Sequence, residues 1–322
     1  MAQNKNTIVI PQDKDSYLGT LRRTWIDREN KRVGRHYPKE KLEQVIYIHE
    51  LSRELALNGI PVQEPLCEPF VVDDLIVAYY QFWENDPADF KDGWYVPEET
   101  PQRIANAAKF FAKFQKIAKD LKGPEKPLDC PYCNTLDWIF DPCPLEKLLG
   151  DIYVKLDKEN RDDGIEQFVQ LVTGLIDKAI PIIKESAWGL CHGDFHAVNT
   201  IFQGEEIKLI VDFGFWVHHP LIFDLAIALE MWSRDWEAQK FTLDFKKFNQ
   251  FLNVYIREGG PVKSLEGLIH MLPLARLWII NYGIRKLEYP TDLDKFYKYI
   301  NGAIMDRLYW YEENIEDFFK HI

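Results

Sequence analysis

The sequence predicts an α+β protein of two lobes, a small strand-rich lobe over residues 1–83 and a large helical lobe over residues 84–322. Two observations support this division. Short apolar segments with strand composition flank one helix in the first part of the chain, whereas later segments repeat apolar residues at helical spacing. The polar segment Glu84–Pro87 ends the last of the early strands, so we place the connector between the lobes there.

The first lobe begins with strands and contains one helix. The predicted strands are short segments rich in β-branched and aromatic residues: 7–10, 17–26, 31–37, 70–72 and 75–82. A helix starts near Pro38, because proline suits a first helical turn. It ends at Asn58-Gly59, and Pro61 follows two residues later.

The second lobe is predicted to be mainly helical. Its predicted helices cover 100–122, 165–185, 221–232, 243–257, 265–286 and 291–319. The helix over 265–286 is strongly apolar, but His270, Pro273 and Arg276 interrupt an apolar run that is already short for a membrane span. We therefore interpret it as a buried helix.

Composition excludes several classes of function. The net charge is −12 and the pI is near 5.2, which argues against binding to nucleic acid or to an anionic membrane. Five cysteines are not typical of a secreted disulfide framework, and the first residues do not resemble a signal peptide. We expect a soluble cytoplasmic protein, and no signal indicates an oligomeric state. We interpret the Cys130–Cys133 pair as part of an ordinary loop, with metal binding as the alternative.

The segment from Cys191 to Gly214 contains the polar groups of a candidate active site. Asp194 lies in a His-Gly-Asp turn, and Asn199 precedes a short apolar strand. A second strand ends at Asp212-Phe213-Gly214. An antiparallel hairpin centred between residues 205 and 206 would place Asn199 and Asp212 side by side at its open end, with Asp194 just beyond them.

This set of oxygen atoms favours phosphoryl transfer. Two carboxylates and one carboxamide suit Mg²⁺, which prefers oxygen ligands and often binds one or two carboxylates together with substrate phosphates. Phosphoryl transfer needs metal ligands and a residue that orients the attacking hydroxyl. We assign Asn199 and Asp212 to the metal and Asp194 to the hydroxyl. Each residue alone is more often an ordinary turn former.

The motifs HGDFHAVN, VDFGF and FDLA, in this order, resemble those of the aminoglycoside phosphotransferase-like kinases, which include homoserine and choline kinases. The resemblance implies a protein-kinase-like two-lobed fold, with ATP and Mg²⁺ as cofactors. It implies that Asp194 is the catalytic base, and that Asn199 and Asp212 hold the metal. It also implies that His192 supports the catalytic loop and that Asp224 caps it.

The nucleotide-binding residues depart from the family pattern. In such kinases a lysine on the third strand contacts the nucleotide phosphates and pairs with a helix glutamate. At the corresponding position we find Arg35, which is not a conservative replacement for lysine. We assign Glu50 as the helix acid, with Glu54 as its rival. No glycine-rich loop joins the first strands, and only Gly19 is available there. These departures leave open a nucleotide-binding pseudokinase without transfer activity.

The short interval after the Asp-Phe-Gly motif favours a small-molecule hydroxyl acceptor. Protein kinases have a long activation loop there, whereas only residues 215–222 separate that motif from FDLA. Trp216, His218 and His219 are candidates to face the acceptor, although core or exposed positions explain them as well.

The histidines of this region allow a third interpretation. Cys191 with His192, His196, His218 and His219 could form a zinc site or a Cys–His nucleophile pair. The adjacent pair His218-His219 lacks the spacing that places two ligands on one helix face, so this hydrolase interpretation is the weaker one.

Overall fold

A computed structural model describes residues 17–18, 24–84, 88–91, 94–123, 163–235, 238, 241–263, 265–275 and 305–320. The predicted strand over 7–10, the cysteines at 130, 133 and 143, and much of the last two predicted helices lie outside these residues. Within the described part of the chain, no helix is both long and apolar enough to cross a membrane.

An antiparallel sheet forms the first lobe. Its strands are β1 (Tyr17–Leu18), β2 (Thr24–Asp27), β3 (Arg32–Pro38), β4 (Phe70–Val72) and β5 (Leu75–Gln81), in the spatial order β1-β2-β3-β5-β4. The single strand predicted over 17–26 is wrong. The chain reverses within this segment, because β1 pairs antiparallel with β2 and places Tyr17 opposite Trp25.

Helix α1 (Leu42–Leu57) covers one face of this sheet, as the sequence predicts. A short 3₁₀ turn, Lys39–Lys41, precedes it. Val45 of α1 packs with Val33 of β3 and Tyr80 of β5 in one apolar cluster. Because side chains alternate along a strand, Arg35 lies on the same covered face as Val33.

Six further helices are described in the second lobe: α2 (Pro101–Ala118), α3 (Asp163–Glu185), α4 (Leu221–Ser233), α5 (Phe245–Arg257), α6 (Glu266–Leu274) and α7 (Asp306–Phe319). Every residue of α4 is buried, so this helix forms the centre of the lobe. Phe111 of α2 and Trp232 of α4 both pack near Phe251 of α5 and Phe195. The predicted α+β class, with strands first and helices later, is confirmed.

Three two-stranded antiparallel sheets complete the described strands: β6 (Ala88–Lys91) with β7 (Trp94–Pro97), β8 (Trp188–Cys191) with β11 (Val217–Pro220), and β9 (Thr200–Gln203) with β10 (Glu206–Ile210). The first two were not predicted. The lobes meet at β10, where the Ile210 N–H donates to the Pro61 carbonyl at 3.0 Å and the Gln63 N–H donates to the Ile210 carbonyl at 3.2 Å.

Candidate active site

A tight turn at Gly193 begins the loop that carries Asp194. Gly193 has a φ of +77°, a conformation that residues with a side chain rarely adopt. A Cβ atom at this position would lie 2.4 Å from the carbonyl oxygen of Phe215, so the turn also packs too closely for a side chain. Only glycine fits both constraints, and the loop is thereby held against the segment that follows Asp212.

Asp224 binds the backbone of this loop from the first turn of α4. Its Oδ2 accepts from the His192 N–H at 3.0 Å, and its Oδ1 accepts from the Gly193 N–H at 2.8 Å. Burial raises the pKa of Asp224 to about 6, although these two donors oppose the shift. By accepting both hydrogen bonds, Asp224 lies in the position expected of a residue that caps the loop.

His192 joins the loop to the strand that precedes Asp212. The ring is buried, and its Nδ1 accepts from the Asp194 N–H at 3.2 Å. With Nδ1 as acceptor, the neutral ring carries its proton on Nε2, which donates to the Val211 carbonyl at 3.1 Å. Burial lowers the pKa of His192 to about 4, so the ring is neutral at pH 7. This position fits the expected support of the loop.

Asp194 and Asn199 are in direct contact. The Asn199 Nδ2 donates to the Asp194 carbonyl at 2.9 Å and to its Oδ2 at 3.1 Å. With the amide nitrogen engaged, the remaining polar atom of the side chain is Oδ1, which is the atom that can bind a cation. His196 adds a further contact. Its Nδ1 accepts from the Val198 N–H, so Nε2 donates to Asp194 Oδ2 at 3.3 Å.

Asp212 has a strained backbone conformation, with φ at 62° and ψ at 64°. A non-glycine residue in the left-handed region is uncommon, and such residues concentrate at functional sites. Its Oδ1 accepts from the Gly214 N–H at 3.4 Å, and its side chain is exposed. The conformation turns this carboxylate out of the hairpin at the point where the chain leaves β10.

The register of the β9–β10 hairpin differs from the prediction. Gln203 pairs with Glu206 and Thr200 with Ile210, with a bulge between Ile207 and Leu209. The turn is therefore centred between residues 204 and 205, one residue earlier than predicted. Because of the bulge, the residue opposite Asn199 is Val211, whose N–H donates to the Asn199 carbonyl at 2.9 Å. Asp212 follows directly, so both predicted metal ligands still lie at the open end of the hairpin.

Arg35 interacts electrostatically with Asp212, although the two residues belong to different lobes. Burial lowers the pKa of the Arg35 guanidinium, but the acidic groups of Tyr37, Asp212 and Tyr80 raise it by more, and the net shift is upward. The cation assigned to the nucleotide phosphates therefore interacts electrostatically with the carboxylate assigned to the metal.

The structure does not bring Glu50 to Arg35. Glu50 is on the exposed side of α1, and within the described residues no ion pair joins it to Arg35. A helix turns each successive residue by about 100°, so the neighbouring His49 faces the sheet instead. His49 is fully buried, and its Nε2 lies 3.0 Å from the Tyr80 hydroxyl. The rival Glu54 is half-buried.

The three candidates for the acceptor pocket do not share one environment. Trp216 and His219 are buried, whereas His218 is exposed and stacks on Trp188 with ring centroids 6.1 Å apart. Trp216 stacks on Tyr47 of α1 at 4.6 Å and therefore belongs to the core between the lobes. The alternation of β11, in which His218 faces Leu190 and His219 faces Gly189, accounts for the difference.

The structure argues against the hydrolase interpretation. Cys191 is fully buried, and burial raises the pKa of its thiol well above the ordinary range, so the nucleophilic thiolate is disfavoured. Among the described residues, no group of three or more His, Cys, Asp or Glu side chains is arranged to hold a metal ion.

Sequence reasoning missed several residues that shape the site. Gln115 of α2 is buried, donates to the Leu221 carbonyl at 2.9 Å, and accepts from the Tyr255 hydroxyl at 2.5 Å. It thus links α2 to α4 and α5 next to Asp224. A polar residue on the apolar face of the helix predicted over 100–122 was the available signal. Tyr47 and His49 gave no such signal.

Comparison with known sequences identifies relatives of this chain. A model of the family described as "Phosphotransferase enzyme family" matches residues 18–250. A homoserine kinase of Parvibaculum lavamentivorans is 22% identical over 192 residues, which cover 58% of this chain and 51% of that protein. A homoserine kinase of Methylobacillus flagellatus is 29% identical over 98 residues, 28% of each protein. The chain spans about half the length of these curated relatives or less.

Solved structures share the fold at low sequence identity. The amicoumacin kinase hAmiN, in complex with AMP-PNP, Ca²⁺ and Ami, superposes with a TM-score of 0.55 at 14% identity, over 91% of this chain and 84% of that chain. The streptomycin–ATP–APH(2'')-IIa ternary complex gives 0.54 at 16% identity, over 86% of each chain. The ADP-bound aminoglycoside phosphotransferase APH(2'')-Ib gives 0.54 at 16% identity, over 90% and 88%. These likenesses confirm the protein-kinase-like two-lobed fold.

Proposed function

Since the chain belongs to the phosphotransferase enzyme family, we propose that it transfers the γ-phosphate of ATP to a hydroxyl group of a small molecule. The observation that carries the proposal is the contact of Asn199 with Asp194, beside the left-handed Asp212 at the same end of the hairpin. This arrangement gathers two carboxylates and a carboxamide next to the cation of Arg35, as phosphoryl transfer requires.

Asp194 is the residue that orients the acceptor hydroxyl and takes its proton. The Asn199 amide and the His196 ring both donate to Oδ2, and this contact fixes the carboxylate in one orientation. The carboxylate fixed in this way is the group that would orient a substrate hydroxyl. The protein contributes mainly by positioning in this reaction, so a fixed carboxylate is the feature that matters.

Asn199 and Asp212 would hold Mg²⁺ through side-chain oxygens. The donor set fits the ion, because Asn199 directs its nitrogen to Asp194 and keeps Oδ1, while Asp212 offers an exposed carboxylate. When bound, the ion neutralises the charge of the phosphate oxygens between donor and acceptor.

ATP is the donor that the comparisons favour. Three of the related structures contain AMP-PNP, ATP and ADP, respectively. In this chain, Arg35 interacts electrostatically with Asp212 across the lobes, and we assign it to the phosphates of a nucleotide bound there.

A small acceptor agrees with the short connection between the Asp-Phe-Gly motif and α4. The 3₁₀ turn Phe213–Phe215 and strand β11 fill this interval, and β11 pairs with β8 along its whole length. The segment is therefore part of the folded lobe rather than a long loop of the kind that binds protein substrates. The relatives named above act on homoserine or antibiotics, which are small hydroxyl compounds.

The proposal is tested by ADP release from MgATP in the presence of a panel of hydroxyl compounds that includes homoserine, choline and aminoglycosides. We expect one class of acceptor to stimulate ADP release by the unaltered protein and not by Asp194→Asn. MgATP binding measured by calorimetry, with no stimulation by any acceptor, would instead support the nucleotide-binding pseudokinase that the replacement of lysine by Arg35 suggests. Absence of MgATP binding would contradict both.

A further inference from the structure

Neutral aromatic side chains, rather than a carboxylate of α1, surround Arg35. The guanidinium carbon lies 5.3 Å from the centre of the Tyr80 ring, within the range of a cation–π contact. Tyr37 lies two residues further along β3, on the same face, and interacts with the same guanidinium. We call Tyr37 and Tyr80 the aromatic cradle.

Tyr80 is itself fixed by α1. Its hydroxyl lies 3.0 Å from His49 Nε2, and the two rings meet edge to face with centroids 5.3 Å apart. Both side chains are buried, so this hydrogen bond is shielded from water. A continuous set of contacts thus runs from α1 through β5 to Arg35 on β3.

The register of the sheet explains these contacts. Arg35 pairs with Ala78, and Val33 pairs with Tyr80. Arg35 and Tyr80 are therefore diagonal neighbours on one face of the sheet, at a separation that aromatic and long side chains can bridge. His49 reaches the same face because α1 packs on it.

The cradle itself adds no carboxylate to Arg35, and the acid that interacts with its guanidinium is Asp212 of the proposed metal site. A carboxylate on α1 would neutralise a cation at this position, whereas an aromatic ring holds it and keeps its net charge. A guanidinium suits this environment better than an ammonium, because it is planar, stacks on rings and donates two parallel hydrogen bonds to a phosphate. The Arg35 Nε is buried and has no hydrogen-bond partner among the described residues.

From this geometry we propose that Tyr80 and His49 are positioning residues, which hold Arg35 towards the phosphates of the bound nucleotide in place of a lysine–carboxylate ion pair. The proposal rests on the proposed nucleotide-dependent function and assigns to it two residues that touch neither substrate nor metal.

Calorimetry with MgATP on the full chain tests the role of Tyr80. Tyr80→Leu removes the ring beneath Arg35, and we expect an increase in Kd of about tenfold. Arg35→Ala should weaken binding at least as much. The matched control is Tyr79→Leu, because Tyr79 is the next residue of β5, faces the other side of the sheet and stacks under Arg32 at 4.0 Å. Its Kd should stay within about twofold of the unaltered protein.

The double variant separates positioning from simple loss of structure. If Tyr80 acts through Arg35, adding Tyr80→Leu to Arg35→Ala produces no further loss of affinity. An equal loss in both backgrounds, or the same loss in Tyr79→Leu, would overturn the proposal. If Tyr80→Leu does not fold, Tyr80→Phe is used. It keeps the ring and loses the hydroxyl that contacts His49, and should raise Kd about threefold only when Arg35 is present.

A conservative replacement tests His49. His49→Leu removes the contact with the Tyr80 hydroxyl and should raise the Kd for MgATP about threefold, whereas His49→Gln can still bond the hydroxyl and should restore most of the affinity. Equal affinity of both variants and the unaltered protein would overturn the role of His49. Absence of MgATP binding by the unaltered protein would overturn the proposed function itself, which is a distinct outcome.

Discussion

Trp216 stacks on Tyr47 with ring centroids 4.6 Å apart and planes inclined by 19°. Tyr47 belongs to α1 of the first lobe, and Trp216 follows the Asp212 segment of the second. Both side chains are buried. The stack therefore joins the helix that carries His49 to the segment that carries the proposed metal ligand. An apolar contact thus helps to hold the two lobes in their relative position.

The first prediction concerns this stack. Trp216→Leu should lower the free energy of unfolding by about 2–4 kcal/mol, because a large buried ring is lost. Tyr47→Leu should have a smaller effect, and the double variant should lose about 0.5–1.5 kcal/mol less than the sum of the two, which is the coupling expected for an aromatic pair. Denaturant unfolding measures all four proteins. Strict additivity would show that the two rings contribute independently.

The second prediction concerns the cap formed by Asp224. An asparagine offers one oxygen and one N–H₂ group, so Asp224→Asn leaves one of two buried backbone donors facing another donor. An unpaired buried N–H costs about 1–3 kcal/mol, and we expect a loss of stability in that range with slower phosphate transfer. Asp306→Asn, at an exposed first-turn position of α7, is the control and should change stability by less than about 0.5 kcal/mol.

The third prediction uses two glycines with the same backbone conformation. Gly193 and Gly59 both have φ of +77°, but a Cβ at Gly59 would meet nothing within 4 Å, whereas at Gly193 it would lie 2.4 Å from the Phe215 carbonyl oxygen. Gly59→Ala should therefore cost about 1–2 kcal/mol from backbone strain alone. Gly193→Ala should cost clearly more and should also slow transfer. Thermal unfolding of the two variants measures the difference, and equal losses would mean that the loop moves without cost.

The fourth prediction concerns Asp194. Asp194→Asn should fold and bind MgATP with unchanged affinity, since the side chain keeps its shape and contacts no nucleotide in the proposed arrangement. Phosphate transfer should be at least ~10²-fold slower, in line with the contribution of a general base. Single-turnover transfer to the acceptor found in the panel measures the rate. Transfer at the rate of the unaltered protein would remove Asp194 from this role.

The sequence predicted local features of the fold well, because they depend on local chemistry. The predicted helix over 38–57 follows from apolar spacing and from the Asn58-Gly59 stop, and the structure confirms it. The strand predicted over 17–26 was wrong, because the reversal between β1 and β2 depends on pairing across the sheet. Pairing of distant strands also explains why the β8–β11 sheet was missed.

In the candidate site, too, local relations were predictable from the sequence and contacts between distant residues were not. The order of Asp194, Asn199 and Asp212 predicts their proximity through one hairpin, which is a local relation. The environment of Arg35 depends on which side of α1 faces the sheet. His49 and Glu50 are adjacent in α1, but the rotation between successive helical residues buries His49 and exposes Glu50. The bulge between Ile207 and Leu209 likewise changes the residue opposite Asn199 without a clear sign in the sequence.

The last prediction concerns pH and His49. Burial, reinforced by the charge of Arg53, lowers the pKa of His49 from its ordinary 6.5 to about 4. Between these two pH values the unfolded chain takes up a proton that the folded protein does not, so the folded state loses stability as the pH falls from about 6.5 to about 4. His49→Phe lacks this titration. The difference in unfolding free energy between the two proteins should therefore shift in favour of the phenylalanine variant on acidification, as measured by denaturant unfolding at pH 7 and pH 4.5. A difference independent of pH would contradict the buried, neutral state of His49.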